Sequence, residues 1–405
     1  MATLKYWLWL TTRTGLGTLT AARVLETFGT PEAAYFADAG EYDLVEALSA
    51  TAKKSFLEKD LAGAEQILAD CDRLGYRILT LQDAEYPNRL KNIPDPPLVL
   101  YLRGKLQPVD ESLVIGMVGA RKASPYGRKM AGEISLDLSR AGAVICSGIA
   151  EGIDTVSLRG ALSAGGTVIS VLAGGLDQKQ SGSETALYED VAAAGVLISE
   201  YPPGTPHSGD HYHPRNRIIS GLSEGIVVVE GDGRSGSLIT ARMALEQSRE
   251  VFAVPGNVDA PMSVAPNRLI HDREAQAVRN AADILEEFSY RYPLRIAAPE
   301  LDTAAKAQRL ETVLTQSREK EERKPAVAET QPRREFLDPA GVESLSDDQR
   351  DILLALGNKR LHPDELVEQT QIPMRRVLSA LTLLQVQGYI KEENGKRFCA
   401  LVRLK

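Results

Sequence analysis

The segment IVVVEGDGRSGS, residues 226–237, carries the clearest structural signal in the chain. Its β-branched run, Ile226–Val229, is typical of a buried parallel strand that is covered on both faces. A glycine-rich turn containing Arg234 follows, and a helix-period segment runs from Leu238 to Ser248. The first N–H groups of such a helix lack intrahelical partners and form an anion site. We therefore expect a phosphate-binding surface at the carboxyl edge of a parallel sheet.

Apolar runs alternate with helix-period segments on both sides of this unit. The predicted strands are Leu113–Val118, Val144–Cys146, Thr167–Leu172, Val196–Ile198, Ile226–Val229 and Val251–Val254. The predicted helices are Tyr126–Ala141, Asp154–Ala164, Glu184–Ala194, Asn216–Leu222 and Ser237–Ser248. This alternation predicts an α/β fold with a doubly wound parallel sheet. Ligands of such sheets bind beyond the carboxyl ends of the strands.

The pattern predicts five regions along the chain. For residues 1–75 the pattern predicts a small helical domain. The turn Gly15-Leu16-Gly17 is compatible with two structures, a helix-hairpin-helix that contacts a phosphodiester or a plain packing of helices. Residues 76–110 are proline-rich and predict an extended connector with Leu98–Leu102 as an edge strand. Residues 111–295 are the main domain, and residues 296–343 predict a disordered, solvated linker.

Residues 344–405 predict a winged helix. Three helices, Asp347–Leu356, Pro363–Gln369 and Met374–Gln387, precede a hairpin that turns at Asn394-Gly395. Arg375 and Arg376 open the third helix, where a DNA-reading helix makes its contacts. Acidic residues lie close by in sequence, so DNA readout and protein interaction both stay open.

Composition narrows the class of protein. No apolar run approaches the roughly 20 residues of a membrane span, and the start has no export signal. Cys71, Cys146 and Cys399 form no CxxC pair. We expect a cytoplasmic, reduced protein that needs no membrane and no structural zinc. The net charge of −8 argues only mildly against nucleic acid, because the potential at a cleft matters more than the total.

The candidate nucleic-acid-binding residues follow the predicted strands at the carboxyl edge. They are Gly119, Arg121, Lys122, Ser124, Ser147, Gly148, Arg215, Asn216, Arg217, Arg234, Ser235, Gly236 and Ser237. Arg121 is expected to hold a phosphate, aided by the helix that Ser124 caps, or else to pair with an acid such as Asp154. Only one of Arg215 and Arg217 is expected to meet the ligand, because residues two apart on a helix point to opposite sides.

The tyrosines, histidines and glutamates near these motifs give weaker indications of function. Tyr126, Tyr201 and Tyr212 are the candidates for stacking on bases. The His211-Tyr212-His213 pattern is interpreted as a polar loop rather than a metal site. Glu200 and Glu230 are interpreted as structural partners of arginines rather than as an acid–base pair. We predict no catalytic residues, no cofactor and no metal.

Several ordered motifs in the main domain resemble those of the DNA-processing protein A family, also called Smf. They include VGARKASPYG (118–127), SGIAEGID (147–154), RNRIISGL (215–222), SGSLITAR (235–242) and VFAVPG (251–256). The resemblance implies an extended Rossmann-like domain that binds single-stranded DNA. It also implies a homodimer that loads the RecA recombinase during natural transformation in competent cells, without enzymatic activity.

The chain departs from the family's usual pattern at several positions. Glu151 stands where an arginine is common and Leu158 where a histidine is, while His213 replaces a usual proline. Segment 177–180 and the turns at 265–266 and 273–274 also differ. A glutamate at the binding edge is expected to weaken phosphate contact.

Two other functions fit the same fold. One is a nucleotide-processing, N-glycosidase-like enzyme with Glu230 as its carboxylate. The other is a nucleotide-sensing or dinucleotide-binding module, which the sequence disfavours because no Gly-x-Gly-x-x-Gly follows Val118.

Overall fold

The computed structural model describes residues 3–178, 183–292, 335–336, 345–357, 359–393 and 397–403. The chain divides into two compact units, Met1–Glu321 and Glu322–Lys405. Almost all of the linker predicted for residues 296–343, the turn Asn394-Gly395 and the end of segment 177–180 lie outside the described residues.

A single sheet forms the centre of the first unit and contains nine strands among the described residues. They are β1 (Arg77–Thr80), β2 (Val99–Gly104), β3 (Val114–Val118), β4 (Val144–Ser147), β5 (Val168–Leu172), β6 (Val196–Ser199), β7 (Gly225–Val228), β8 (Glu250–Ala253) and β9 (Gln276–Ala277). Their order is β1-β2-β6-β5-β4-β3-β7-β8-β9, and β3 to β9 pair in parallel. This order confirms the doubly wound parallel sheet.

Helices connect these strands and precede them. They are α1 (Leu4–Thr11), α2 (Thr18–Phe28), α3 (Pro31–Phe36), α4 (Ala50–Leu57), α5 (Ala62–Leu74), α6 (Asn88–Lys91), α7 (Pro125–Arg140), α8 (Ile153–Ser163), α9 (Ser183–Ala194), α10 (Gly209–Leu222), α11 (Gly236–Glu246), α12 (Val264–His271) and α13 (Ala281–Phe288). Short 3₁₀ turns lie at Glu41–Leu44, Val109–Glu111 and Pro261–Ser263. No described helix combines the length and the apolar character that a bilayer crossing requires.

The expectation of an extended connector at residues 76–110 is wrong in part, because β1 and β2 belong to the sheet. β2 lies between β1 and β6 and is antiparallel to both, so it is an inner strand and β1 is the edge. Leu100 and Tyr101 are 0% and 1% exposed. The proline-rich stretch ends at Pro97, directly before this apolar run. The prolines therefore bound a strand instead of excluding one.

The N-terminal helices pack on the sheet through one apolar cluster, which joins Trp9 and Phe56 to Leu98 and Tyr101. The turn at Gly15 has a φ of +76°, which glycine adopts without strain. It packs against α4, where the N–H of Thr14 donates to Oγ of Ser55 at 3.0 Å. This contact favours plain helical packing over a phosphodiester-binding hairpin.

The second unit is a winged helix, as predicted. It contains α14 (Asp347–Leu356), α15 (Pro363–Thr370) and α16 (Met374–Val386), with the strands β10 (Glu335–Phe336), β11 (Ile390–Glu393), β12 (Arg397–Ala400) and β13 (Val402–Arg403). β11 and β12 pair antiparallel, and β10 pairs in parallel with β13. Ile352, Leu384 and Phe398 belong to a separate apolar core. Arg376 is held by Asp348 through bonds of 2.7 and 2.8 Å, and both Arg375 and Arg376 are exposed on α16.

Candidate nucleic-acid interface

The candidate site lies where the chain reverses its winding direction across the sheet. The chain runs from β3 through β4, β5 and β6 on one side, and then returns to β7 on the other side of β3. The loops that follow β3 and β7 therefore leave the sheet side by side. A crevice at such a switch point is the usual ligand site of doubly wound sheets.

Two adjoining cavities occupy this crevice. Cavity A, of about 290 Å³, is lined by Val118, Gly119, Arg121, Ala150, Asp154, Tyr212, His213, Arg215, Asn216, Ile219, Ser235, Gly236, Ser237 and Thr240. Cavity B, of about 320 Å³, is lined by Arg121, Ile149, Ala150, Glu151, Val171, Leu172, Ala173, Glu184, His207, Tyr212 and Arg215. The two share Arg121, Ala150, Tyr212 and Arg215, so they form one groove.

Arg215 lies at the junction of the cavities, although it is only 5% exposed. Its Nη1 donates to the carbonyl oxygen of Val171 at 2.6 Å. Its buried Nε has no hydrogen-bond partner in the described part of the chain. Burial lowers the pKa of this arginine, an effect opposed by the charge of Asp154. A buried cation with an unused donor has capacity for an anionic ligand.

Asp154, at the start of α8, is the acidic group beside Arg215. It is 8% exposed and lines cavity A. Burial raises the pKa of Asp154 to about 6, and the positive charges of Arg215 and Arg121 oppose that rise. Both groups reach over Gly148, where an added Cβ would overlap Nη1 of Arg215 and lie 2.6 Å from Oδ2 of Asp154. The absence of a side chain at Gly148 thus makes room for both ionic groups beneath the groove.

Arg121 and Tyr212 form a cationic and aromatic platform at the shared wall. The guanidinium carbon of Arg121 lies 4.4 Å from the Tyr212 ring centroid, and that of Arg215 lies 5.8 Å from it. Arg121 is exposed and makes no ion pair with the rest of the described chain. Arg121 and Asp154 therefore do not form the ion pair that was the alternative prediction.

The other two aromatic candidates lie outside the cavities. The hydroxyl of Tyr126 donates to the carbonyl oxygen of Pro255 at 2.7 Å. Tyr201 stacks on His211 with ring centroids 4.1 Å apart. Tyr212 is thus the tyrosine placed to meet a base. Within the described ranges, no group of three His, Cys, Asp or Glu side chains is placed to hold a metal ion.

The start of α11 supplies hydrogen-bond donors to cavity A. Ser235 caps the helix, and its Oγ lies 2.8 Å from Oγ of Ser237. A Cβ on Gly236 would meet no described atom within 4 Å, so the first turn is open to a ligand. The helix dipole adds positive potential at this end. Asn216 brings a side-chain amide to the same cavity.

Glu230 fills the N-terminus of α7, so the expectation that this helix offers free N–H groups to phosphate is wrong. Its carboxylate accepts from the N–H of Ser124 at 2.8 Å and from Oγ of Ser124 at 2.5 Å. Oγ of Ser124 in turn accepts from the N–H of Gly127 at 3.1 Å. Glu230 is 2% exposed and lines neither cavity. Its partner is a serine and a helix end, not the arginine that was expected.

The remaining predicted residues also lie outside the two cavities. Arg217 is bound by Glu200 at 2.8 and 2.9 Å and by Asp95 at 3.1 Å, on the side of α10 away from the groove. Ser147 is fully buried, and its Oγ donates to the carbonyl oxygen of Met117 at 2.6 Å. Lys122 and Arg234 are exposed on the loops after β3 and β7 but line neither cavity.

Sequence reasoning missed several lining residues. Asp154 was considered only as a partner for Arg121, while Thr240, His207 and Glu184 were not singled out as ligand contacts. Asp154 had a usable signal, since it is the first charged residue of the helix that follows β4. His207 and Glu184 had none, because neither directly follows a strand. Both cavities are lined by Arg121 and Arg215. Cavity A has one acidic residue, Asp154, whereas cavity B has two, Glu151 and Glu184. Cavity A is therefore the better anion site.

Comparisons with known proteins agree on one family. A family model described as DNA recombination-mediator protein A matches residues 77–289, and one described as DprA winged helix domain matches residues 338–396. The DNA processing protein DprA of Bacillus subtilis is 40% identical over 244 residues, which is 60% of this chain and 82% of that protein. Protein Smf of Synechocystis is 31% identical over 350 residues, 82% of each. The X-ray structure of DprA from Streptococcus pneumoniae superposes with a TM-score of 0.62 at 30% identity, covering 70% of this chain and 97% of that one.

Proposed function

Because the chain belongs to the DNA-processing protein A family, we propose that it binds single-stranded DNA in the groove formed by cavities A and B. A DNA-processing role follows from the family. We further propose that the bound strand is handed to a RecA-type recombinase during natural transformation. In this proposal the protein acts in the cytoplasm, as a homodimer and without catalysis. The description of the matching family as a recombination mediator supports the recombinase step.

The observation that carries the proposal is the buried Arg215, a cation that lines both cavities at the point where they meet. A phosphate oxygen of the strand supplies an acceptor for the guanidinium group. Seven of the predicted residues line cavity A and are proposed to contact the strand: Gly119, Arg121, Arg215, Asn216, Ser235, Gly236 and Ser237. Tyr212 is proposed to stack on a base.

Lys122 and Arg234 have a weaker role in this proposal. Both are exposed on loops at the same edge of the sheet, outside the cavities. We propose that they attract the strand at longer range, so their contribution fades as salt is added. Ser124, Ser147, Gly148 and Arg217 support the groove without touching DNA.

The enzymatic alternative lacks a suitable carboxylate at Glu230. A nucleotide N-glycosidase needs its acid within hydrogen-bond reach of the reacting group. Glu230 is buried against Ser124 and lines neither cavity. We therefore favour binding over catalysis, and the experiment below assays both.

The proposal is tested by titrating a labelled single-stranded oligonucleotide at about 50 and 200 mM salt. Arg121→Ala is expected to weaken binding about tenfold, as removal of one charge-assisted contact does. It is also expected to reduce the slope of log K against log salt by about 0.7, the value for one phosphate on a single strand. Base release from nucleotides is assayed in parallel, and none is expected.

Arg77→Ala is the matched control, because Arg77 lies in the edge strand β1, five positions from β3 in the strand order, lines neither cavity and is half exposed in a pair with Glu85. It removes the same charge away from the groove and is expected to leave the affinity unchanged. Equal losses in the two variants would refute the groove as the binding site, and base release would select the enzyme. The recombinase step is tested separately, by asking whether the wild-type protein, but not Arg121→Ala, shortens the lag in filament formation on single strands.

A further inference from the structure

Cavity A contains one carboxylate among many hydrogen-bond donors. The donors are Arg121, Arg215, the Asn216 amide, the hydroxyls of Ser235 and Ser237 and the open start of α11. Asp154 is the single acidic residue among those that line the cavity. Asp154 balances the charge of Arg215, but it offers nothing to an internal phosphodiester, because both are negative and neither carries a proton at neutral pH.

Asp154 cannot turn away from a ligand in this cavity. It is buried above Gly148, next to Arg215, and the backbone N–H of Gly148 favours its charged form. Its position is therefore a fixed property of the cavity. Whatever binds beside Arg215 must either bring a donor to Asp154 or be repelled by it.

A phosphomonoester brings that donor. Its second pKa is about 6, so it still shares a proton near neutral pH, whereas an internal phosphodiester has none to give. Its remaining oxygens accept from the arginines, the serine hydroxyls and the start of α11. In single-stranded DNA this group occurs only at a phosphorylated end.

We propose that cavity A recognises the terminal phosphomonoester of a DNA strand, with Asp154 as the specificity-determining residue that accepts the monoester's proton. This inference rests on the proposed binding of single-stranded DNA and names the part of the strand that enters cavity A. The adjoining cavity B and the Tyr212 ring then receive the terminal nucleotide.

The charges around Asp154 set the pH range of this preference. Arg121 faces it from the loop after β3, Arg215 from α10, and Cys146 and Ser147 from β4. His213 and Tyr212 line the same cavity from α10. Burial raises the pKa of Asp154 to about 6, close to that of a monoester. The shared proton is therefore lost as pH rises above that range, and the preference for a phosphorylated end declines with it.

The test compares three oligonucleotides of one sequence, with a 5′-phosphate, a 3′-phosphate or hydroxyls at both ends. At about pH 6 we expect one phosphorylated strand to bind the full-length protein about tenfold tighter than the hydroxyl strand. The 5′ and 3′ arms identify which end is recognised. The ratio of affinities for the two ends is expected to fall towards one at about pH 8.5, where the monoester is fully ionised.

Asp154→Asn removes the acceptor's charge and keeps its shape. It is expected to bring the ratio of affinities for the phosphorylated and hydroxyl strands to about one, whatever its effect on the affinity for the hydroxyl strand itself. Asp232→Asn is the matched control, because Asp232 is exposed in the neighbouring loop and lines neither cavity, and it is expected to keep the preference. If Asp154→Asn does not fold, the pH series of the wild-type protein decides.

The outcomes distinguish failure of end recognition from failure of single-strand binding. Equal binding of all three strands by the wild-type protein overturns the end recognition and leaves single-strand binding intact. A preference that persists in Asp154→Asn, or that does not change with pH, also overturns it. Failure to bind any strand overturns the proposed function itself.

Discussion

Gly148 allows two buried ionic side chains to meet at one point of the groove. Nη1 of Arg215 and Oδ2 of Asp154 both occupy the space that a side chain would fill there. The position needs a glycine for close approach rather than for an unusual backbone angle. A single methyl group is enough to separate the anion-binding cation from its partner.

Gly148→Ala is expected to destabilise the protein by about 1–3 kcal/mol, because the added Cβ overlaps a buried guanidinium that has little room to move. It is also expected to weaken single-strand binding, since Arg215 must shift. Urea unfolding and oligonucleotide titration measure the two effects. Gly63→Ala, in α5 with open space around it, is the control and is expected to stabilise by up to about 1 kcal/mol. Unchanged stability in Gly148→Ala would contradict the close packing.

The sequence predicts that only one of Arg215 and Arg217 meets the ligand, but it does not predict which one. Helical spacing shows that they point to opposite sides of α10, and the structure separates them in that way. Which of them faces the ligand depends on Glu200 and Asp95, which bind Arg217 and come from elements distant in sequence. No local pattern contains that information. The same holds for Glu230, whose partner Ser124 lies 106 residues away.

Strand β2 shows where the reasoning about elements succeeded and failed. The parallel strands β3 to β8 were predicted to within one residue at each end, because a strand buried on both faces is a continuous apolar run. The short, exposed strand β9 was missed, since it has no such run. In the proline-rich segment, Leu98–Leu102 was predicted as an edge strand and β1 was not predicted, since four prolines in residues 87–97 suggested turns. Pairing with β6, about 95 residues later, turns this segment into an inner strand.

Leu100→Ala tests the inner position of β2. Leu100 is fully buried, so its truncation is expected to cost about 2–5 kcal/mol through lost burial and the cavity that remains. Leu19→Ala, at a residue 56% exposed on α2, is expected to change stability by less than about 0.5 kcal/mol. Both are measured by urea unfolding. A small effect at Leu100 would mean that β2 is a loosely attached edge.

The whole molecule consists of two units with separate apolar cores. The first core joins the N-terminal helices to the sheet, and the second lies within the winged helix. Every residue that lines cavities A and B belongs to the first unit. The proposed single-strand site therefore lies entirely within the first unit.

Deletion of the second unit, residues 322–405, is expected to change the affinity for single strands by less than about twofold, as for a change at an independent site. The excised winged helix is expected to unfold cooperatively by itself, because its core residues all lie within it. Oligonucleotide titration and thermal unfolding measure these results. A tenfold loss of affinity would show that the second unit contacts DNA, and would select readout by α16 over protein interaction.

The contact between Glu230 and Ser124 has a consequence for the kinetics of binding. It joins the end of β7 to the start of α7 across the switch point, so the two walls of the crevice are already held together by hydrogen bonds in the free protein. A groove held in this way spends little entropy on closing around its ligand. We expect the free and occupied forms to superpose closely here, and the association rate to be set by electrostatic encounter rather than by opening of the protein.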